Sequence, residues 1–298
     1  MRVPREQEET LDIYYMYEKE RHTSEIAAFH LNRILGFNTV PPVAGRLFSM
    51  TEEIYPLLTE DIQEHFFYSP VDNVCFFGQC DYFCDAANSV CGVGEMLEGS
   101  VAAFLPDRDL ANWKSIANPW KRSYSKYNRS EWETTDDPEG YCEGVRLKPP
   151  FDQDRAILNV IDSAIFDFLI GNKDRHHYYT FVSYGNNSYY LLFDNGKGFG
   201  RPHDDIIDIL APLYQCCLIR FTTFRTLVQM HTDPERRLSH LMRESLSHDA
   251  LPEILTPAHL RALDRRVRIV LEQVLKCLKT RGRHQSIIID DGYYYERG

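Results

Sequence analysis

Apolar positions fall into periodic blocks separated by polar stretches that Gly and Pro punctuate. Residues 1–19 are polar, with a tyrosine cluster at Tyr14, Tyr15 and Tyr17, and read as extended. Ala27, Leu31, Ile34 and Leu35 then recur at i, i+4, i+7 and i+8, one face of a helix. Ser24 is placed to cap that helix, Glu25 suits its positive end, and Gly36 stops it. Residues 38–50 carry Pro41-Pro42 and Gly45 and predict short strands and turns. Val101-Ala102-Ala103-Phe104-Leu105 reads as a short buried strand ended by Pro106-Asp107. Residues 107–153 show little periodicity and predict a long irregular region, a kind of segment that is usually functional or cross-linked.

From Asp154 the pattern strengthens. Ile157, Ile161, Ala164, Ile165 and Phe168 mark one face, other apolar residues surround them, and a core helix ends at Gly171-Asn172. Two apolar runs, 179–182 and 190–193, flank a Gly185-Asn186 turn and predict a β-hairpin. The last third is helical. Leu260, Leu263, Val267, Val270, Leu271, Val274 and Leu278 share a face of a long helix that carries Cys277. No internal repeat is visible, and the tail 285–298 is assigned no element.

The chain has 298 residues, with 43% hydrophobic and 26% charged, which is a globular composition. Its net charge of −11 argues against general nucleic-acid binding, which is built on cationic side chains. No run of about 18 apolar residues exists to span a bilayer, and no apolar signal region follows Met1.

Eight cysteines change the picture of compartment: Cys75, Cys80, Cys84, Cys91, Cys142, Cys216, Cys217 and Cys277. Four of them lie within 75–91, which reads as a stapled loop or hairpin. The even count favours disulfides and an oxidising compartment. Zinc is the rival, but the spacing C-x4-C-x3-C-x6-C, with no histidine nearby, fits it poorly. Sequons at Asn128 and Asn186 lean toward the secretory pathway.

Two aspartates stand out by position. Asp174 follows the core helix, in Gly171-Asn172-Lys173-Asp174-Arg175-His176-His177. Asp194 ends the predicted hairpin, in Asp194-Asn195-Gly196-Lys197-Gly198-Phe199-Gly200. Helix, Asp loop, two strands and a second Asp is a protein-kinase layout, in which one Asp orients the acceptor hydroxyl and the other holds the metal on ATP. Glu20 and Glu25 flank the first helix, the element that carries a glutamate toward the cleft in kinases. Either motif alone has a plainer reading, as a turn former or a surface ion pair.

With these motifs together, the sequence resembles the Golgi casein kinase family of secretory-pathway kinases. That family includes an extracellular serine/threonine protein kinase, a glycosaminoglycan xylosylkinase and a pseudokinase relative. The resemblance runs from Arg5 to about Gly282 and rests on the segments 20–31, 98–107, 118–120, 171–178, 194–200 and 212–217. Ala-Ala-Phe-Leu-Pro-Asp at 102–107 is similar to the protein-kinase branch.

The resemblance implies an α+β, atypical kinase-like fold: residues 1–105 as the remainder of a small lobe with its helix, cysteine-stapled insert and hinge, and 106–298 as a helical lobe. It implies Asp174 as catalytic, Asp194 and Glu20 on the metal, and Ala102, Ala103, Phe104 and Leu105 as the adenine-binding hinge. It implies the pairings Cys75–Cys91, Cys80–Cys84, Cys142–Cys216 and Cys217–Cys277. The implied cofactors are ATP and Mn2+, with Mg2+ as the alternative. The implied activity is phosphorylation of secreted proteins at Ser-x-Glu sites, in the Golgi lumen or outside the cell. Lys121-Arg122 and Arg201 are candidate cations for the acidic acceptor residue. Rival readings are a xylosylkinase and a pseudokinase that partners a family kinase.

Two departures from the family stand out. Tyr179 occupies a position that is acidic in the family and contributes to nucleotide binding. The family's glycine-rich loop and phosphate-binding lysine fall upstream of Met1, so the chain reads as a truncated small lobe expected to show little or no kinase activity as given; no mechanical reason makes Arg2, Arg5 or Lys19 a substitute for that lysine.

Overall fold

The computed structural model describes residues 5–8, 20–80, 84–123, 125, 127–281 and 287–292, without the side chains of residues 154, 186 and 187. The Tyr14–Tyr17 cluster, Arg2 and Lys19, and the Asn186 side chain lie outside them.

Helix α1 (His22–Leu35) buries Ile26, Ala27, Leu31 and Leu35 and ends at Gly36 in the left-handed conformation, φ 78°. Its N-cap is Arg21, not Ser24. Ser24 sits inside the first turn, and its hydroxyl donates to the Asn195 carbonyl at 2.5 Å. A distant loop has taken the group that the sequence offered as a cap.

Strand β1 (Val43–Ser49) is followed by the short helix α2 (Glu60–Gln63) and by a three-stranded antiparallel sheet, β2 (Phe66–Tyr68), β3 (Val74–Phe76) and β4 (Val90–Cys91). Cys75 and Cys91 stand directly opposite each other in that sheet and are bonded, and Cys80 is bonded to Cys84. Strand β5 (Met96–Ala102) pairs antiparallel with β1, from Val43↔Ala102 to Ser49↔Met96. The Asp249 carboxylate accepts the Gly45 N–H at 2.9 Å and ties this pair to the C-terminal helices.

The apolar run 101–105 is not a buried strand. The strand begins at Met96 and ends at Ala102, and Phe104 is 100% exposed. β5 has one partner strand, and no described residue packs over Phe104.

Residues 107–153 hold more structure than their pattern predicts: β6 (Trp113–Ala117), α3 (Glu131–Thr134) and α4 (Pro138–Arg146). Tryptophans fasten this stretch. Trp120 Nε1 donates to Gln215 at 2.6 Å and Trp132 Nε1 to the Lys121 carbonyl at 2.9 Å.

Helix α5 (Asp154–Ile170) is buried on every side, through Ile157, Ile161, Ile165, Phe166 and Phe168 among others. Strand β7 (His177–Phe181) follows and pairs with β6, from Trp113↔Phe181 to Ala117↔His177. The predicted hairpin does not form. Residues 182–187 coil into a 3-10 turn, and the returning segment meets β7 at a single bridge, Tyr179↔Leu191. Leu192, whose N–H faces the edge away from β7, gives it to the Thr39 carbonyl at 2.9 Å. That partner follows α1 and is invisible to local periodicity.

The remaining elements are α6 (Ala211–Cys216), β8 (Ile219–Arg220), α7 (Phe221–Thr232), α8 (Leu238–Leu246), α9 (Pro257–Thr280) and β9 (Ile288–Ile289). α9 buries the predicted face except Leu278, which is exposed. Cys217 adopts φ 51°, so the adjacent cysteines diverge: Cys216 bonds Cys142 of α4, and Cys217 bonds Cys277 of α9. These are the four pairs that the family resemblance implies. Beyond the last helix, β9 runs parallel to β8. There the fully buried Arg220 donates to Asp162 at 2.8 Å and to Asn159 at 2.7 Å, and it also pairs with Asp291.

One continuous apolar cluster links α1, α5 and α9. The loops that follow α5 and β7 meet the start of α1 on its border.

Candidate active site

The site is built from three backbone segments: the lead-in to α1, the 171–176 loop after α5, and the 193–200 loop. Asp174 is oriented from behind, its N–H bonding Asn172 Oδ1 at 3.0 Å. Asn172 also reaches the Asp194 carbonyl, at 3.4 Å. Asp194 itself has φ 57°, a left-handed conformation that turns the chain sharply at this residue.

Arg175 joins the two loops. It makes a two-pronged ion pair with buried Asp167 of α5, Nε to Oδ2 at 3.0 Å and Nη2 to Oδ1 at 2.9 Å. It also donates to Asn195 Oδ1 at 2.5 Å and to the Phe193 carbonyl, one residue on either side of Asp194. The Asp167 carboxylate holds the guanidinium charged and pushes its pKa further up despite burial.

Helix α1 clasps the 193–200 loop. Glu25 Oε1 accepts the Asn195 N–H at 2.7 Å, and the Arg21 N–H donates to the Gly196 carbonyl at 2.8 Å. Two glycines permit the approach. A Cβ at 196 would come within 3.2 Å of the Glu20 Cβ, and one at 198 within 2.7 Å of Ser24 Oγ. So Glu20 lies against the turn that carries Asp194. Burial and then the Asp194 charge push its carboxyl up, Lys197 pulls it down, and Asp174 adds a further push up. All three predicted acidic residues therefore share one electrostatic neighbourhood.

The loop's far end is held by α9. The Phe199 carbonyl accepts from His259 Nε2 at 2.7 Å, which leaves Nδ1 to accept the Thr256 N–H at 3.2 Å. Burial holds His259 neutral, its pKa down at about 4, and the Arg21, Arg266 and His203 charges add to that depression against the pull of the Phe199 carbonyl. A depressed folded-state pKa means stability present above the ordinary value near 6.5 and lost as pH falls through about 4. Denaturant melts should lose about 3 kcal/mol over that window through this group. His259→Leu should flatten the acid limb, and an unchanged limb would assign it to other groups.

The other predicted residues are placed as follows. Ala102 closes β5, and the Ala103 N–H is taken by the Pro42 carbonyl at 2.9 Å. Phe104 is exposed and Leu105 half-buried. Lys121 is exposed, and Arg122 lines a cleft with Asn172, Lys173 and Asp208. Arg122 is already shared between Glu133 and Asp208, each at 3.5 Å. Arg201 is buried, which removes it as a contact for an acceptor peptide. Arg5 donates to Glu98 at 2.7 Å and to the carbonyls of Pro252 and Glu253. Asn128 is exposed. Tyr179 packs edge-on against Trp113, centroids 5.6 Å apart, and Phe193, 5.2 Å apart.

Sequence reasoning gave no role to Arg175, Asp167 or Lys197. Arg175 and Lys197 were visible only as members of the two motifs. Lys197 Nζ lies 2.5 Å from Asp174 Oδ2.

Among the described residues, no group of three or more His, Cys, Asp or Glu side chains is arranged to hold a metal ion. Glu20 and Asp194 are within electrostatic reach of each other, and a pair of carboxylates is a donor type that suits a hard cation.

Comparison with known proteins identifies the family. The family model for the C-terminal region of Golgi casein kinase, Fam20, matches residues 1–286. The chain is 49% identical over 292 residues to the human extracellular serine/threonine protein kinase FAM20C, covering 98% of the chain and 49% of that protein. It is 47% identical over 288 residues to the mouse pseudokinase FAM20A, covering 96% of the chain and 52% of the relative. It thus spans about half the length of these curated relatives. A crystal structure of the Golgi casein kinase with Mn/ADP bound superimposes with a TM-score of 0.91 at 38% identity, over 97% of this chain and 68% of that one. A match of this extent in both sequence and fold places the chain in the Golgi casein kinase (Fam20) family.

Proposed function

We propose that the protein transfers the γ-phosphoryl group of ATP to serine in secreted proteins, at Ser-x-Glu sites in the Golgi or beyond. The observation that carries the reading is the convergence of Glu20, Asp174 and Asp194, from three separate segments, on one partly buried locus. Asp174 orients and accepts the proton of the acceptor hydroxyl. Asp194 and Glu20 would hold a divalent cation, which when bound would supply positive charge against the nucleotide phosphates; the solved relative carries Mn/ADP. Residues 102–105 border the adenine. Lys121, which is exposed, and Arg122, which shares a cleft with Asn172 and Lys173, are the candidate cations for the acceptor's acidic residue. A location in the secretory pathway is supported by the four disulfides and by the extracellular relative. No described helix is long and apolar enough to cross a membrane.

Calorimetric titration with ADP and Mn2+ tests the site. Wild type should bind ADP only with the metal, and Glu20→Gln and Asp194→Asn should each abolish the metal-dependent component. Binding that is insensitive to both substitutions would remove the kinase assignment.

One observation favours the second reading, a pseudokinase partner of a family kinase. The aromatic ring of Tyr179 stands where the family has an acid, packed against the residue before Asp194. If Tyr179→Glu raises peptide phosphorylation by more than about tenfold, the natural chain is the disabled form. An unchanged rate supports the enzyme.

A further inference from the structure

The 193–200 loop places one cation among the three carboxylates. The Lys197 ammonium contacts Asp174 Oδ2 at 2.5 Å, and the two side chains are only 14% and 10% exposed. The same charge pulls down the Glu20 carboxyl that burial, Asp194 and Asp174 push up. The lysine is delivered from a fixed backbone. Flanking bonds run from the Arg21 N–H to the Gly196 carbonyl at 2.8 Å, from the Gly198 N–H to the Asn195 carbonyl at 3.0 Å, and from the Phe199 N–H to the Ile170 carbonyl at 2.6 Å.

This arrangement meets a chemical difficulty. Three carboxylates within electrostatic reach are equally good ligands for a hard divalent cation. Two of them must hold it, while the third must keep an oxygen for an acceptor hydroxyl. Nothing in a carboxylate itself divides the tasks. An ammonium on one Asp174 oxygen does, because it fills that oxygen's coordination position and repels a second cation brought to it.

We propose that Lys197 is a positioning residue that keeps Asp174 out of the metal's coordination shell, confining the cation to Glu20 and Asp194. The inference rests on the kinase reading of this site.

The test is a double-mutant cycle of Lys197→Met and Asp174→Asn, read by calorimetric titration of Mn2+ in the presence of ADP. In wild type, Asp174→Asn should leave Mn2+ affinity within about twofold. Lys197→Met should tighten Mn2+ binding about tenfold by freeing Asp174 as a third ligand, and adding Asp174→Asn should reverse the gain, a coupling within the range for contacting residues. Lys197→Arg, which keeps the charge, should behave as wild type. Metal-free melts establish that each variant is folded, and Lys197→Gln replaces Lys197→Met if the latter is not. If Asp174→Asn has the same effect in both backgrounds, the inference is overturned while the kinase reading stands. If wild-type Mn2+ binding ignores Glu20→Gln and Asp194→Asn, the kinase reading falls and the inference falls with it.

Discussion

Arg175→Met is expected to cost about 3–5 kcal/mol of folding stability, the range for breaking a buried ion pair by removing one partner. Asp167 is at the buried end of α5, and its carboxylate receives both prongs of the guanidinium. Without Arg175 it would be an uncompensated charge in the core. The same substitution removes the donors to Asn195 Oδ1 and to the Phe193 carbonyl, so Asp194 loses the fasteners on both sides. Urea melts should therefore shift strongly, and metal-dependent ADP binding should weaken in the protein that remains folded. Arg175→Met combined with Asp167→Leu should recover part of the stability, because the stranded charge goes as well. It should not recover ADP binding, because the two loop bonds are still missing. A double variant no more stable than Arg175→Met would show that the loss came from packing instead of charge.

What the sequence made legible follows the range of each interaction. Helices α1, α5 and α9 were readable because their apolar spacing is local, and the first two end at Gly36 and Gly171. Asp174 and Asp194 were readable as candidates because each sits at a predicted change of element. The misreadings share one cause, which is a partner far away in sequence. Ser24 has cap chemistry, and a loop beyond residue 190 uses the same hydroxyl. The run after Tyr190 has strand composition, yet Leu191 alone bridges back to β7 and Leu192 bonds Thr39 on its other edge. Val101 to Leu105 have buried-strand composition, yet composition does not say whether a second layer will cover them. Arg175 and Lys197 escaped for the same reason. A cation within a motif is indistinguishable from a solvated one until the fold sets it against Asp167 or Asp174.

Asp174→Asn should lower phosphotransfer to a Ser-x-Glu peptide by about 10²–10⁴ in kcat, the usual contribution of a positioned general base. The substitution is nearly isosteric, and the bond from the Asn172 side chain to the residue 174 N–H involves only backbone on that side, so the loop keeps its shape. What is lost is an oxygen that can take the hydroxyl proton and the charge that anchors Lys197. The KM for ATP and metal-dependent ADP binding should stay near wild type, because Glu20 and Asp194 are untouched. Asp194→Asn should give the opposite pattern, with nucleotide binding lost together with turnover. Steady-state kinetics paired with calorimetry separates the two outcomes. If Asp174→Asn impaired ADP binding as severely as Asp194→Asn, all three carboxylates would act as one metal-binding cluster, and the acceptor hydroxyl would need another base.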